Sequence, residues 1–113
     1  MKTIAVDGDG TMVEYDRYRG VGVFGPPVPL MVERIKWWLD CGHEVVIFTS
    51  RVSCEHGCIK TSNEHTAIAA VLKDLELPEL EITANKFTRF NEFWDDRSVW
   101  VKRNTGQTHY QKD

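Results

Sequence analysis

Apolar residues recur along this chain in two distinct periods. Thr3-Ile4-Ala5-Val6 is a continuous run that stops at Asp7, and Glu44-Val45-Val46-Ile47-Phe48 is a second that stops at Thr49-Ser50-Arg51. Short unbroken runs of this kind suit strands covered on both faces, as in a parallel sheet. Leu80-Glu81-Ile82-Thr83 alternates and predicts a third strand, Glu92-Phe93-Trp94 a fourth and Val99-Trp100-Val101 a fifth. Between the first two runs, Met31, Ile35, Trp38 and Leu39 fall three or four apart, on one face of a helix. Pro29 suits the start of that helix and Gly42 the position past its end. Ile68, Val71, Leu72 and Leu75 repeat the helical spacing before Pro78, and Thr61-Ser62-Asn63-Glu64 ahead of them reads as a capping box.

Strands alternating with helices imply an α/β domain: a three-layer, Rossmann-like, mostly parallel sheet of about five strands with helices on both faces and right-handed crossovers. Gly8 and Gly10 force a turn after the first strand. Residues 14–29 hold Gly20, Gly22, Gly25, Pro26, Pro27 and Pro29 among Tyr15, Tyr18, Val21, Val23 and Phe24, which fits a small hairpin or flap rather than a helix. The polar tail 104–113 is expected to fray. No repeat or linker interrupts residues 1–113, which read as a single domain.

Composition narrows the function classes. Fourteen basic against seventeen acidic residues give a formal net charge of −3, which argues against a large nucleic-acid footprint. No run of about 18 uncharged apolar residues is present, so no membrane span is expected. The first residues lack the pattern of a signal peptide, and three cysteines make an odd count; the cytoplasm and reduced thiols are the expectation.

In open parallel sheets, ligands bind beyond the carboxyl ends of the strands. Asp7, Thr49, Lys86 and Asp95 each lie at or just past such an end. Asp7 and Asp9, one residue apart, can share a hard cation such as Mg²⁺, which prefers oxygen ligands, and Asp95 with Asp96 can complete the set. An aspartate in that setting can attack phosphorus and carry an aspartyl-phosphate. Asp9 is placed to protonate the leaving oxygen and then to activate water. Lys86 supplies counter-charge to the phosphoryl group, and Thr49 a hydroxyl and a backbone N–H. Gly10, Thr11, Ser50 and Arg51 flank these positions and complete the expected phosphate-binding set.

Val6-Asp7-Gly8-Asp9-Gly10-Thr11 resembles the first motif of the haloacid dehalogenase-like superfamily, Asp-x-Asp-Gly-Thr after an apolar strand. Val45-Val46-Ile47-Phe48-Thr49 resembles its second motif, Lys86 its third, and Phe93-Trp94-Asp95-Asp96 its fourth. The order matches over residues 3 to 103. Phe24-Gly25-Pro26-Pro27-Val28-Pro29 and the Trp-Asp-Asp-Arg-Ser-Val stretch look similar to small phage and bacterial members, for which a host cytoplasm would be the setting. The resemblance implies a magnesium-dependent phosphatase. Asp7 would be nucleophile and metal ligand, and Asp9 acid/base and a ligand through its backbone carbonyl. Thr49 and Lys86 would hold the phosphoryl group, Asp95 would bind the metal directly, and Asp96 would do so directly or from behind a direct ligand. Gly8 departs from the pattern, which usually has an apolar residue there; glycine loosens a turn at a cost of roughly 0.5–1 kcal/mol.

Two other classes use similar residues. A phosphoacceptor signalling domain combines an acidic pocket with Thr and Lys, but places its acceptor Asp after the third strand, where this chain has Lys86. A catalytically silent relative that binds a partner is favoured by Gly8 alone. Cys54, His56 and Cys58 offer metal-ligand chemistry with His65 or Cys41, but their spacing fits no usual structural zinc site, and reduced loop cysteines are the simpler reading. The segments between Thr11 and Thr49 and between Thr49 and Lys86 leave no room for a large cap. An open site of that kind suits phosphorylated nucleic-acid ends or phosphoproteins; nucleotides or sugar phosphates suit it if a second copy covers the cleft in a homo-oligomer.

Overall fold

The computed structural model describes residues 1–110. Its four strands are β1 (Thr3–Asp7), β2 (Glu44–Phe48), β3 (Glu81–Thr83) and β4 (Glu92–Trp94). They form one sheet in the order β3-β2-β1-β4, with every neighbouring pair parallel. Helix α1 (Pro29–Asp40) joins β1 to β2, and α2 (Cys58–Asp74) lies between β2 and β3. The α/β architecture, the parallel sheet and the absence of a large cap agree with the sequence pattern.

Strand alternation sends Ile4, Val6, Val45 and Ile47 to one face, and there they meet Met31, Ile35 and Trp38 of α1 and Ile68 and Leu72 of α2. Ile4, Ile35 and Ile47 have almost no exposed surface. Burying a side chain of that size stabilises the fold by about 1.5–3 kcal/mol. Pro29 sits in the first turn of α1, and Gly42 follows its end at φ 87°, a conformation glycine adopts without strain.

The layers differ from the expected arrangement. The steps β1 to β2 and β2 to β3 run in the same direction across the sheet, so crossovers of one hand put both helices on the same face. The opposite face carries a smaller cluster, Ala5, Val46 and Phe90, with Phe48 packed against it. Its cover is the loop 84–91, whose Phe87 and Phe90 rings meet edge to face at 5.6 Å.

Three local expectations are corrected. Val99-Trp100-Val101 is not a fifth strand: Val101 makes an isolated antiparallel bridge to Thr108. That bridge, with His109 N–H donating to the Trp100 carbonyl and the Trp100 and His109 rings stacked at 3.7 Å, gives residues 100–109 a turn of their own rather than a frayed end. Residues 111–113 of the expected tail lie outside the described residues. Thr61-Ser62-Asn63-Glu64 does not cap α2, which begins earlier, at Cys58. The expected flap holds as an irregular segment. It is closed at its base by a Val13–Pro27 bridge and by Glu14 N–H donating to the Pro26 carbonyl at 2.9 Å.

Candidate active site

The register of β1 against β4 pairs Val6 with Trp94, so the chains leave the sheet side by side at Asp7 and Asp95. One carboxylate oxygen from each of Asp7, Asp95 and Asp96 lies within 4.8 Å of the others. Repulsion among like charges so close is large where water is partly excluded. Burial, then Asp95, Asp96 and Asp9, together with a side-chain hydrogen bond to Asp96, push the Asp7 carboxyl up from 3.8 to about 7. A hard divalent cation relieves such repulsion, and the oxygen-only donor set fits Mg²⁺. The loop is shaped around the cluster: Gly10 has φ 85°, and a Cβ there would lie 2.5 Å from Asp96 Oδ2. Thr11 Oγ1 is buried with no hydrogen-bond partner among the described residues.

Three amides, those of Thr11, Met12 and Val13, converge on the Gly8 carbonyl and tighten the loop after β1. Thr49 leaves β2 beside it, 3.9 Å from where a Gly8 Cβ would stand. Its N–H, expected to face phosphate, donates instead to the Thr83 carbonyl at 2.9 Å. Its Oγ1 accepts from Arg51 N–H at 3.2 Å, which leaves the hydroxyl proton free to donate. The Gly10 N–H is likewise used, by the Val13 carbonyl. Ser50 is exposed in the short 3₁₀ turn Ser50–Val52.

Arg51 is the main departure from expectation. Its side chain is 5% exposed and is directed at Asp9 rather than at an open phosphate position. Nε donates to Asp9 Oδ2 at 2.6 Å and an Nη to Oδ1 at 3.1 Å, a bidentate pair. The remaining donors meet Glu64 and the carbonyls of Gly20 and Val23. Glu64, fully buried, also accepts from Gly22 N–H at 2.6 Å. Sequence reasoning missed Glu64, although it lies four residues before Ile68 and eight before Leu72, on the stripe that faces the core.

Lys86, past the end of β3, shares a cleft with Asp7 and Asp95. Its Nζ lies 4.7 Å from the centre of the Phe93 ring. Cys41, Cys54 and Cys58 are exposed free thiols. Among the described residues, the Cys54–His56–Cys58 loop forms no cluster of metal-ligating atoms comparable to that of the three aspartates.

No family model matches the chain, and no curated protein matches it. A solved structure, described as that of the conserved protein coded by a locus from Bacteroides thetaiotaomicron, is similar over 86% of this chain and 77% of its own, with a TM-score of 0.53 and 27% identity. That description names no activity, and the likeness establishes a shared α/β fold.

Proposed function

We propose that this protein is a phosphomonoester hydrolase of the haloacid dehalogenase-like type. The reading is carried by the cluster of Asp7, Asp95 and Asp96 at the carboxyl rim of the sheet, with Lys86 in the same cleft. Those three carboxylates would hold Mg²⁺, with Asp9 joining through its backbone carbonyl. A bound magnesium ion supplies positive charge that polarises the phosphoryl oxygens.

Asp7 then acts as nucleophile. Its Oδ forms a bond to phosphorus as the ester P–O bond breaks, and the leaving oxygen takes a proton from Asp9. Water next attacks the phosphorus of the aspartyl-phosphate and passes a proton to Asp9. The acyl P–O bond breaks, which frees inorganic phosphate and restores the Asp7 carboxylate. Lys86 and the Thr49 hydroxyl hold the phosphoryl oxygens. Arg51 orients Asp9 through its two hydrogen bonds, and the protonated form of Asp9 that donates to the leaving oxygen keeps one of them, its O–H being released from the guanidinium.

The test is phosphate release from acetyl phosphate, β-glycerophosphate and p-nitrophenyl phosphate with Mg²⁺. Asp7→Asn should reduce it by about a thousandfold or more while the circular dichroism spectrum is unchanged. A wild-type rate in that variant, or folded wild-type protein that releases no phosphate from any of the three, sinks the reading.

A further inference from the structure

The cleft that holds Asp7 and Lys86 does not end at the carboxylates. It extends over the helix-free face of the sheet with a volume of about 720 Å³, inside the size range of small-molecule sites. Phe48, Phe93, Trp100 and Tyr110 give it an aromatic lining, whereas the Trp94 ring turns to the other face and packs on Trp38. Trp100 is 67% exposed, yet its ring is held in place by stacking on His109. Lys86 stands where the two halves meet, its ammonium over Phe93.

We propose that the substrate is a nucleoside monophosphate, its phosphate between Asp7 and Lys86 and its base stacked on the Trp100 wall; this deepens the hydrolase reading and rests on it. A nucleobase is a flat group that matches aromatic walls, and stacking of this kind tolerates different bases. A nucleic-acid strand fits less well. Among the described residues lining the cleft, Lys86 is the one cation, beside Asp7, Glu92 and Asp95, whereas polymer backbones call for several cations. A sugar phosphate alone would leave the aromatic half unused.

The experiment is calorimetric titration of adenosine monophosphate and of ribose 5-phosphate into Asp7→Asn protein with Mg²⁺. Adenosine monophosphate should bind about tenfold tighter, and adding Trp100→Ala should remove the difference while Trp100→Phe retains most of it. Equal affinities, or a preference that survives Trp100→Ala, overturns the proposal. So does sedimentation showing a dimer that Trp100→Ala dissociates, since a second copy would then occupy the wall. Base preference without phosphate release from any ester, adenosine monophosphate included, sinks the hydrolase reading and with it the nucleotide's role as substrate. Release from β-glycerophosphate without base preference sinks this proposal alone.

Discussion

Asp7 illustrates how a single side chain answers to its neighbours. Its carboxyl is pushed up to about 7 by burial first and by three other aspartates after that. The native state therefore binds that proton more tightly than the unfolded chain does. The associated stabilisation is complete below about pH 4 and is lost as pH rises through about 7. The melting temperature of cation-free protein should fall across that window, and Mg²⁺ should raise it more at about pH 8 than at about pH 5. An equal magnesium effect at both pH values would show that Asp7 is not the group being relieved. The two glycines of the loop should behave in opposite ways. A Cβ at Gly8 meets nothing closer than 3.9 Å, so Gly8→Ala should stabilise by about 0.4–1 kcal/mol in urea denaturation. Gly10→Ala, at φ 85° and against Asp96, should destabilise. Asp7, Thr49, Lys86 and Asp95 were legible because strand ends can be read from where apolar runs stop. The partners of Arg51 were not, since a guanidinium bonded across 42 residues to Asp9 leaves no local pattern.

Elements with a strong period were the easiest to foresee. α1 and β2 fall where the apolar spacing put them, because their buried faces are uninterrupted. α2 was misjudged at its start, since Thr61 to Glu64 resembles a cap while Glu64 in fact continues the stripe of Ile68 and Leu72. Its carboxylate is buried against Arg51 at 3.2 Å. Removing one partner of a buried ion pair strands the other. Glu64→Ala should therefore cost about 3–5 kcal/mol by chemical denaturation, and Glu64→Gln, which retains an acceptor for Gly22, should cost less. A loss near zero for Glu64→Ala would mean that water enters to solvate Arg51. The missing fifth strand has a comparable cause: Val99, Trp100 and Val101 are all exposed, so three apolar residues in a row marked a turn and a cleft wall rather than a buried strand.

At the scale of the whole molecule, the chain is lopsided. Two helices cover one face of the sheet, and the other depends on a loop. Strand order, which decides this, is not written in hydrophobic periodicity: β4 beside β1 and β4 beside β3 would look the same in sequence. Phe90 is 7% exposed and fills the centre of the loop-covered face. Phe90→Ala should cost about 3–5 kcal/mol, whereas Trp37→Ala, at 64% exposure on the outer side of α1, should change stability by less than about 0.5 kcal/mol. Similar losses for both would mean that the second face contributes little.

The flap and Asp9, the proton carrier of the proposed mechanism, are one mechanical unit. Arg51 is clasped by the carbonyls of Gly20 and Val23 and lies 4.4 Å from the centre of the Phe24 ring, while its other edge grips Asp9. An excursion of that segment into solvent would strip the guanidinium of two acceptors and an aromatic roof at once. Under the proposed mechanism, loop order and the aim of Asp9 should therefore rise and fall together, so that heat or denaturant slackens phosphate release before it unravels the sheet.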